Sequence, residues 1–215
     1  MMQDSTNQPI ELIYFADPMC SWCWAFAPVI QKLLEQYGQR LNIEVIAGGL
    51  RAYETRGMTA EMREKIQGHW RHIAEATNQP FQFDGALPNG FVYDTEPACR
   101  ALVTVREMAP ELALRYLHEL HAAFYADGKD ITNGTVLARI ATDIGIDAED
   151  FTAKFTSQPI VTATAADFES RHDNAVMGFP TLLLKQGESR KLVSNGYQPI
   201  AAIIDRLEAL MPDCG

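Results

Sequence analysis

Cys20-Ser21-Trp22-Cys23 separates two segments of different periodicity. Before it, Ile10-Glu11-Leu12-Ile13-Tyr14-Phe15 is a nearly unbroken apolar run, as expected of a buried strand. After it, Phe26, Val29, Ile30, Leu33, Leu34 and Tyr37 recur at helical spacing, and Gly38 supplies a stop. Pro28 lies inside this helix, removes one N–H and predicts a kink. The cysteine pair therefore falls at a strand-to-helix junction, with both thiols at a helix N-terminus. Unpaired backbone N–H groups and the helix dipole favour a thiolate there. A thiolate is the attacking group in thiol–disulfide exchange. Cys20, at the helix start, is the expected nucleophile. Cys23, one turn in, is the expected buried resolving thiol. Zinc also uses this spacing, but needs four ligands, and neither a second Cys-x-x-Cys nor a spaced Cys/His partner is present. No metal centre is predicted.

The rest of the chain continues the pattern. Leu41, Ile43 and Val45 alternate with Asn42 and Glu44, which predicts a second strand, parallel to the first through a right-handed crossover. From Gly48 to Gln158 the periodicity is helical. A helix is expected over 60–77, with Met62, Ile66, Trp70 and Ile73 on one face. Further helices are expected from Thr95 as N-cap, from Pro110, from Thr132 or Asn133, from Asp147, and from Pro159 to about Met177. The segment 78–95 reads as a long loop holding Phe81, Phe83, Phe91 and Tyr93. Its rings either border a substrate groove or anchor the loop onto the helices. Thr181–Leu184 and Lys191–Val193 predict a hairpin across Gly187, and Pro199 opens a last helix. The order is βαβ, helical insert, ββα.

The chain has 215 residues, 47% of them hydrophobic, and a formal net charge of -10. No basic stripe is visible, so nucleic acid is not an expected partner. No run reaches the roughly 18 apolar residues of a membrane span. Met1 to Gln8 is polar and no apolar leader follows, so a cytoplasmic location is expected. Four cysteines do not make a disulfide scaffold. Cys99 is expected to be a small buried residue, with a pairing to Cys214 as the alternative. Asp17 is either a turn residue before Pro18 or a negative charge that raises a neighbouring thiol's pKa. His69 with His72, and His118 with His121, stand at helical spacing, where solvated or packing roles are expected.

Taken together, Asp17-Pro18-Met19-Cys20-Ser21-Trp22-Cys23-Trp24, Thr95-Glu96-Pro97-Ala98-Cys99-Arg100 and Gly178-Phe179-Pro180-Thr181 resemble the DsbA-like family, over nearly the whole chain. The Cys-Ser-Trp-Cys-Trp run resembles its cytosolic FrnE-like branch of disulfide isomerases; the dipeptide departs from the Pro-His of periplasmic DsbA. The resemblance implies an α/β thioredoxin fold, residues 1–55 with 165–215, interrupted by an all-helical insertion, residues 56–164. It implies protein disulfide oxidoreductase or isomerase activity through a mixed disulfide. No organic cofactor is implied, only a thiol reductant such as glutathione or a thioredoxin system. The implied partners are protein or small-molecule disulfides and thiols. Phe179 and Pro180 would bind substrate, with Pro180 cis against the cysteines, and Ser21 and Trp22 would tune the pair. Two alternatives remain. Kappa-class glutathione transferases and 2-hydroxychromene-2-carboxylate isomerases share the inserted architecture. A holdase-like binding module would use the aromatic loop without redox chemistry.

Overall fold

A computed structural model describes residues 9–211. Its core is a four-stranded sheet in the order β2-β1-β3-β4, built from β1 (Ile10–Ala16), β2 (Leu41–Ala47), β3 (Thr181–Gln186) and β4 (Ser189–Asn195). β1 runs parallel to β2 and antiparallel to β3, and β3 and β4 form the hairpin. β1 is a central strand buried at every position but Glu11, which is why its sequence is an apolar run rather than an alternation.

α1 (Ser21–Tyr37) joins β1 to β2. It continues through Pro28, which lacks the N–H that would bond the Trp24 carbonyl one turn back. Gln79 Nε2 donates to that carbonyl instead, at 2.8 Å.

Between β2 and β3 lie α2 (Ala60–Thr77), α3 (Glu96–Met108), α4 (Ala113–His121), α5 (Gly134–Asp143), α6 (Ala148–Phe155) and α7 (Gln158–Asp173). A π-helical turn, Ala122–Ala126, extends α4. α8 (Ile200–Leu210) closes the chain against α1 and β4. α7 is one continuous helix through residues 164 and 165 and packs on both α3 and β2, so insert and sheet share it. It stops short of Met177, because Ala175 takes a positive φ and Asn174 turns its amide onto Ser170.

Asn133 and Asp147 cap their helices through side-chain oxygens. Thr95 occupies the N-cap position of α3 but does not cap it. Its hydroxyl accepts from Arg51 N, and Asp94 Oδ1 takes the Glu96 N–H. Among the described residues no helix is long and apolar enough to cross a membrane.

Candidate active site

Cys20 is the N-cap of α1 and Cys23 is its third residue. Cys20 is 7% exposed and Cys23 is fully buried, so the first thiol is the more accessible one. The turn that delivers them is held by the backbone: Cys20 N donates to Asp17 O at 3.0 Å, and the Cys20 carbonyl accepts from Cys23 N and Trp24 N. The N–H groups of Ser21 and Trp22 are left without an intrahelical acceptor at the helix start. Trp22 is half-buried, its ring 5.7 Å from Tyr197 and edge-on to His72.

The second half of the site arrives from the far end of the chain. The Phe179–Pro180 peptide is cis, and Cys20 Sγ lies 3.6 Å from the Phe179 carbonyl oxygen. The fold thus brings Cys20, Cys23, Phe179 and Pro180 together. The Pro180 carbonyl accepts from Gly196 N at 2.7 Å, which ties this loop to β4. The Phe179 ring lies flat over Gly48. A Cβ at Gly48 would fall 2.5 Å from the ring, so a side chain there would displace it. Gly49, at φ +63, is covered in the same way by Phe168. Leu50, Tyr53 and Met177, close in sequence to Gly48–Gly49 and to Phe179, are exposed, Met177 with 89% of its surface free.

Asp17 lies beneath the cysteines, fully buried. Its carboxylate accepts from Met19 N at 2.8 Å, Leu50 N at 2.6 Å and Cys99 Sγ at 3.4 Å. Both expectations for it hold: it makes the turn, and its charge pushes up the Cys23 thiol. Burial is the larger cause of that rise, followed by Cys20, while the Asp17 backbone N–H acts in the opposite direction. Burial also lifts the Asp17 carboxyl above its usual range, against the N–H groups that hold it down. Cys99 is buried as expected, but as a thiol hydrogen-bonded to Asp17 rather than as apolar filling. Cys214 lies outside the described residues, so the pairing with Cys99 does too.

The loop 78–95 does two things. Phe81 packs on Trp70, Tyr125 and Phe83, which anchors the loop onto the insert. The same loop holds both flanks of the cysteine motif. Tyr93 Oη donates to Met19 O at 2.7 Å, and Trp24 Nε1 donates to Pro80 O at 3.0 Å. With Gln79 on the Trp24 carbonyl, the loop clamps the residues immediately before and after Cys20–Cys23. Its aromatic content announced a role; these polar contacts had no sequence signal.

His69 and His72 are exposed, whereas His118 and His121 pack on Trp24. The Trp24 ring lies 5.7 Å from His118 and 6.2 Å from His121. Among the described residues no cluster of three or more His, Cys, Asp or Glu is placed to hold a metal. His121 Nε2 lies 3.1 Å from Asp17 O, the carbonyl that also receives Cys20 N. A carbonyl only accepts, so Nε2 carries the proton. Burial pushes the His121 pKa down to about 3. Between that value and the ordinary value near 6.5, the unfolded chain binds a proton that the folded chain does not. Stability therefore falls as pH drops through this window. Between pH 6.5 and 5 the loss assigned to His121 is on the order of 1 to 2 kcal/mol. Urea melts across that range should show a flatter profile for His121→Gln than for the wild type; equal slopes would refute the assignment.

A family model described as a DSBA-like thioredoxin domain matches residues 11–208. Among solved structures, a candidate protein disulfide isomerase from Nitrosomonas europaea is 38% identical, with a TM-score of 0.89, covering 97% of this chain and 100% of that one. The cytosolic disulfide reductase DsbM from Pseudomonas aeruginosa is 25% identical, with a TM-score of 0.77, covering 93% of this chain and 98% of that one. Among curated proteins, the ClpXP adapter protein SpxH of Halalkalibacterium halodurans is 26% identical over 95% of this chain and 69% of its own length. The βαβ and ββα halves sharing one sheet, the six helices between them and the family match lead to one conclusion: this chain belongs to the DsbA-like thioredoxin-domain family.

Proposed function

We propose that this protein is a thiol–disulfide oxidoreductase acting on protein or small-molecule disulfides through Cys20 and Cys23. The observation that carries the reading is the Cys20 thiol at the start of α1, the more exposed of the pair, in contact with the Phe179 carbonyl and backed by the fully buried Cys23 thiol. Cys20 as thiolate attacks a substrate sulfur and forms a mixed disulfide. A negative charge on Cys20 raises the Cys23 pKa further, so the two do not ionise together. Cys23 then attacks Cys20, which releases the substrate thiol and leaves Cys20–Cys23 oxidised; in the isomerase direction the substrate's own thiol releases Cys20. The backbone of Phe179 beside Pro180 is the edge on which an extended substrate lies. Exposed Leu50, Tyr53 and Met177 suit a polypeptide more than a tripeptide thiol. Glutathione fits the role of reductant, and the similar DsbM was solved with GSH. The chemistry is that of a cytoplasmic enzyme working against a reducing thiol pool.

The curated relatives' name supports a second reading, a protein-binding adapter that uses the exposed Leu50, Tyr53 and Met177 without redox chemistry. One measurement separates the two. The protein is equilibrated in graded glutathione buffers, its free thiols are trapped by alkylation, and they are counted by intact mass. A two-thiol transition is expected between roughly −120 and −270 mV, the span from DsbA to thioredoxin. No such transition across that range would refute the redox reading and leave the adapter.

A further inference from the structure

A cavity of about 710 Å³ lies between α1 and α4, and the thiol chemistry makes no use of it. Its walls are mostly apolar, with Ala27, Ile30 and Leu34 from α1 and Leu114 and Leu117 from α4. Sites for small organic molecules have this size, and they pair an apolar lining with a few polar groups that fix orientation. Two such groups are present. His121 and Tyr14 both line the cavity and are 1% and 2% exposed. His121 Nδ1 and the Tyr14 hydroxyl are each buried and make no hydrogen bond. A buried polar atom without a partner costs free energy, and two on one cavity call for an explanation.

The chemistry of these atoms is restrictive. His121 Nε2 carries the proton, because it meets the Asp17 carbonyl at 3.1 Å. Burial keeps the ring uncharged at neutral pH. Nδ1 is then an acceptor only, whereas the Tyr14 phenol can donate or accept. Charge gives no preference, since exposed Glu111 and Arg115 both line the cavity and offer one of each sign. The complement to this interior is an apolar body carrying a neutral group that donates to Nδ1 and can accept from Tyr14. A hydroxyl does both; an ether or a carboxylate has nothing to donate.

We propose that this cavity binds an uncharged, mostly apolar alcohol or phenol, its O–H donating to His121 Nδ1 and its body lying between α1 and α4. The site stands whether or not Cys20 and Cys23 are redox-active. It does adjoin their supports. Gln79 lines the cavity and donates to the Trp24 carbonyl, and His121 holds the Asp17 carbonyl that receives Cys20 N.

The test uses 2-naphthol and its methyl ether, 2-methoxynaphthalene, which share a ring system and differ in the O–H. Titration calorimetry on the full chain is expected to give 2-naphthol a Kd below about 100 µM, in keeping with a ligand of its size. The ether is expected to bind at least about tenfold more weakly, because it leaves Nδ1 unsatisfied. In nitrogen-15-labelled protein the His121 Nδ1 resonance should move upfield with 2-naphthol and not with the ether. Ala27→Trp places an indole in the cavity from α1 and keeps His121 and both cysteines; it is expected to abolish binding. If that variant does not fold, the ligand pair and the His121 resonance in the wild type decide. No binding of 2-naphthol up to about 1 mM, equal affinity for the two compounds, binding that leaves His121 Nδ1 unmoved, or undiminished binding to folded Ala27→Trp overturns the proposal.

Discussion

Cys20→Ser is expected to lose reduction of insulin disulfides by at least about a thousandfold, whereas Cys23→Ser is expected to stop at a trapped mixed disulfide. A serine hydroxyl is not ionised at neutral pH, and an oxygen in place of sulfur cannot form the disulfide intermediate. Cys20 is the more exposed of the two thiols and touches the Phe179 carbonyl, so its loss removes the first step. Cys23 is fully buried, out of reach of a substrate, so its loss spares attack and blocks release. Turbidity of insulin with a thiol reductant reads the first outcome, and intact mass without reductant reads the second. Activity that survives loss of both cysteines would sink the dithiol mechanism and favour chemistry on bound glutathione.

Asp167→Ala is expected to destabilise the fold by about 3–5 kcal/mol, which for a chain of this size lowers Tm on the order of 10 °C. Asp167 of α7 and Arg106 of α3 form a two-pronged ion pair, Nη1 to Oδ2 at 2.7 Å and Nη2 to Oδ1 at 2.9 Å, with both side chains mostly buried. The pair also serves the sheet. β2 is an edge strand, and Arg106 Nη1 donates to Val45 O while Asp167 Oδ2 accepts from Ala47 N. Deleting the carboxylate leaves a mostly buried guanidinium without its counter-charge, held only by the Val45 carbonyl, and the Ala47 N–H without a partner, and it uncovers part of a sheet edge. Urea denaturation followed by circular dichroism measures the loss, and a change below about 1 kcal/mol would show that the pair does not hold insert and sheet together.

These two predictions draw on different kinds of legibility. The cysteine pair is readable because its meaning depends on neighbours in sequence: an apolar run on one side and a 3.6-residue period on the other. The 60–77 helix and the β3–β4 hairpin are readable for the same reason. Arg106 and Asp167 carry no such signal. Each is one more charged residue on a helix, and only the approach of α3 and α7 to β2 turns the two into a bolt. Thr95 shows the opposite error. Its residue type suits an N-cap, yet the 48–51 loop competes for its hydroxyl and takes it.

The sequence by itself determined the strand–thiol–helix junction, the order of elements and the identity of the two sulfurs, because periodicity and local capping act over a few residues. Tertiary structure alone decided what surrounds those sulfurs. Phe179 meets Cys20 across 159 positions, His121 meets Asp17 across 104, Cys99 meets Asp17 across 82 and Tyr93 meets Met19 across 74. Hydrogen bonds over such separations leave no period in the chain. The desolvation that raises Cys23, lowers His121 and strands the Tyr14 hydroxyl exists only once the insert and the sheet have excluded water.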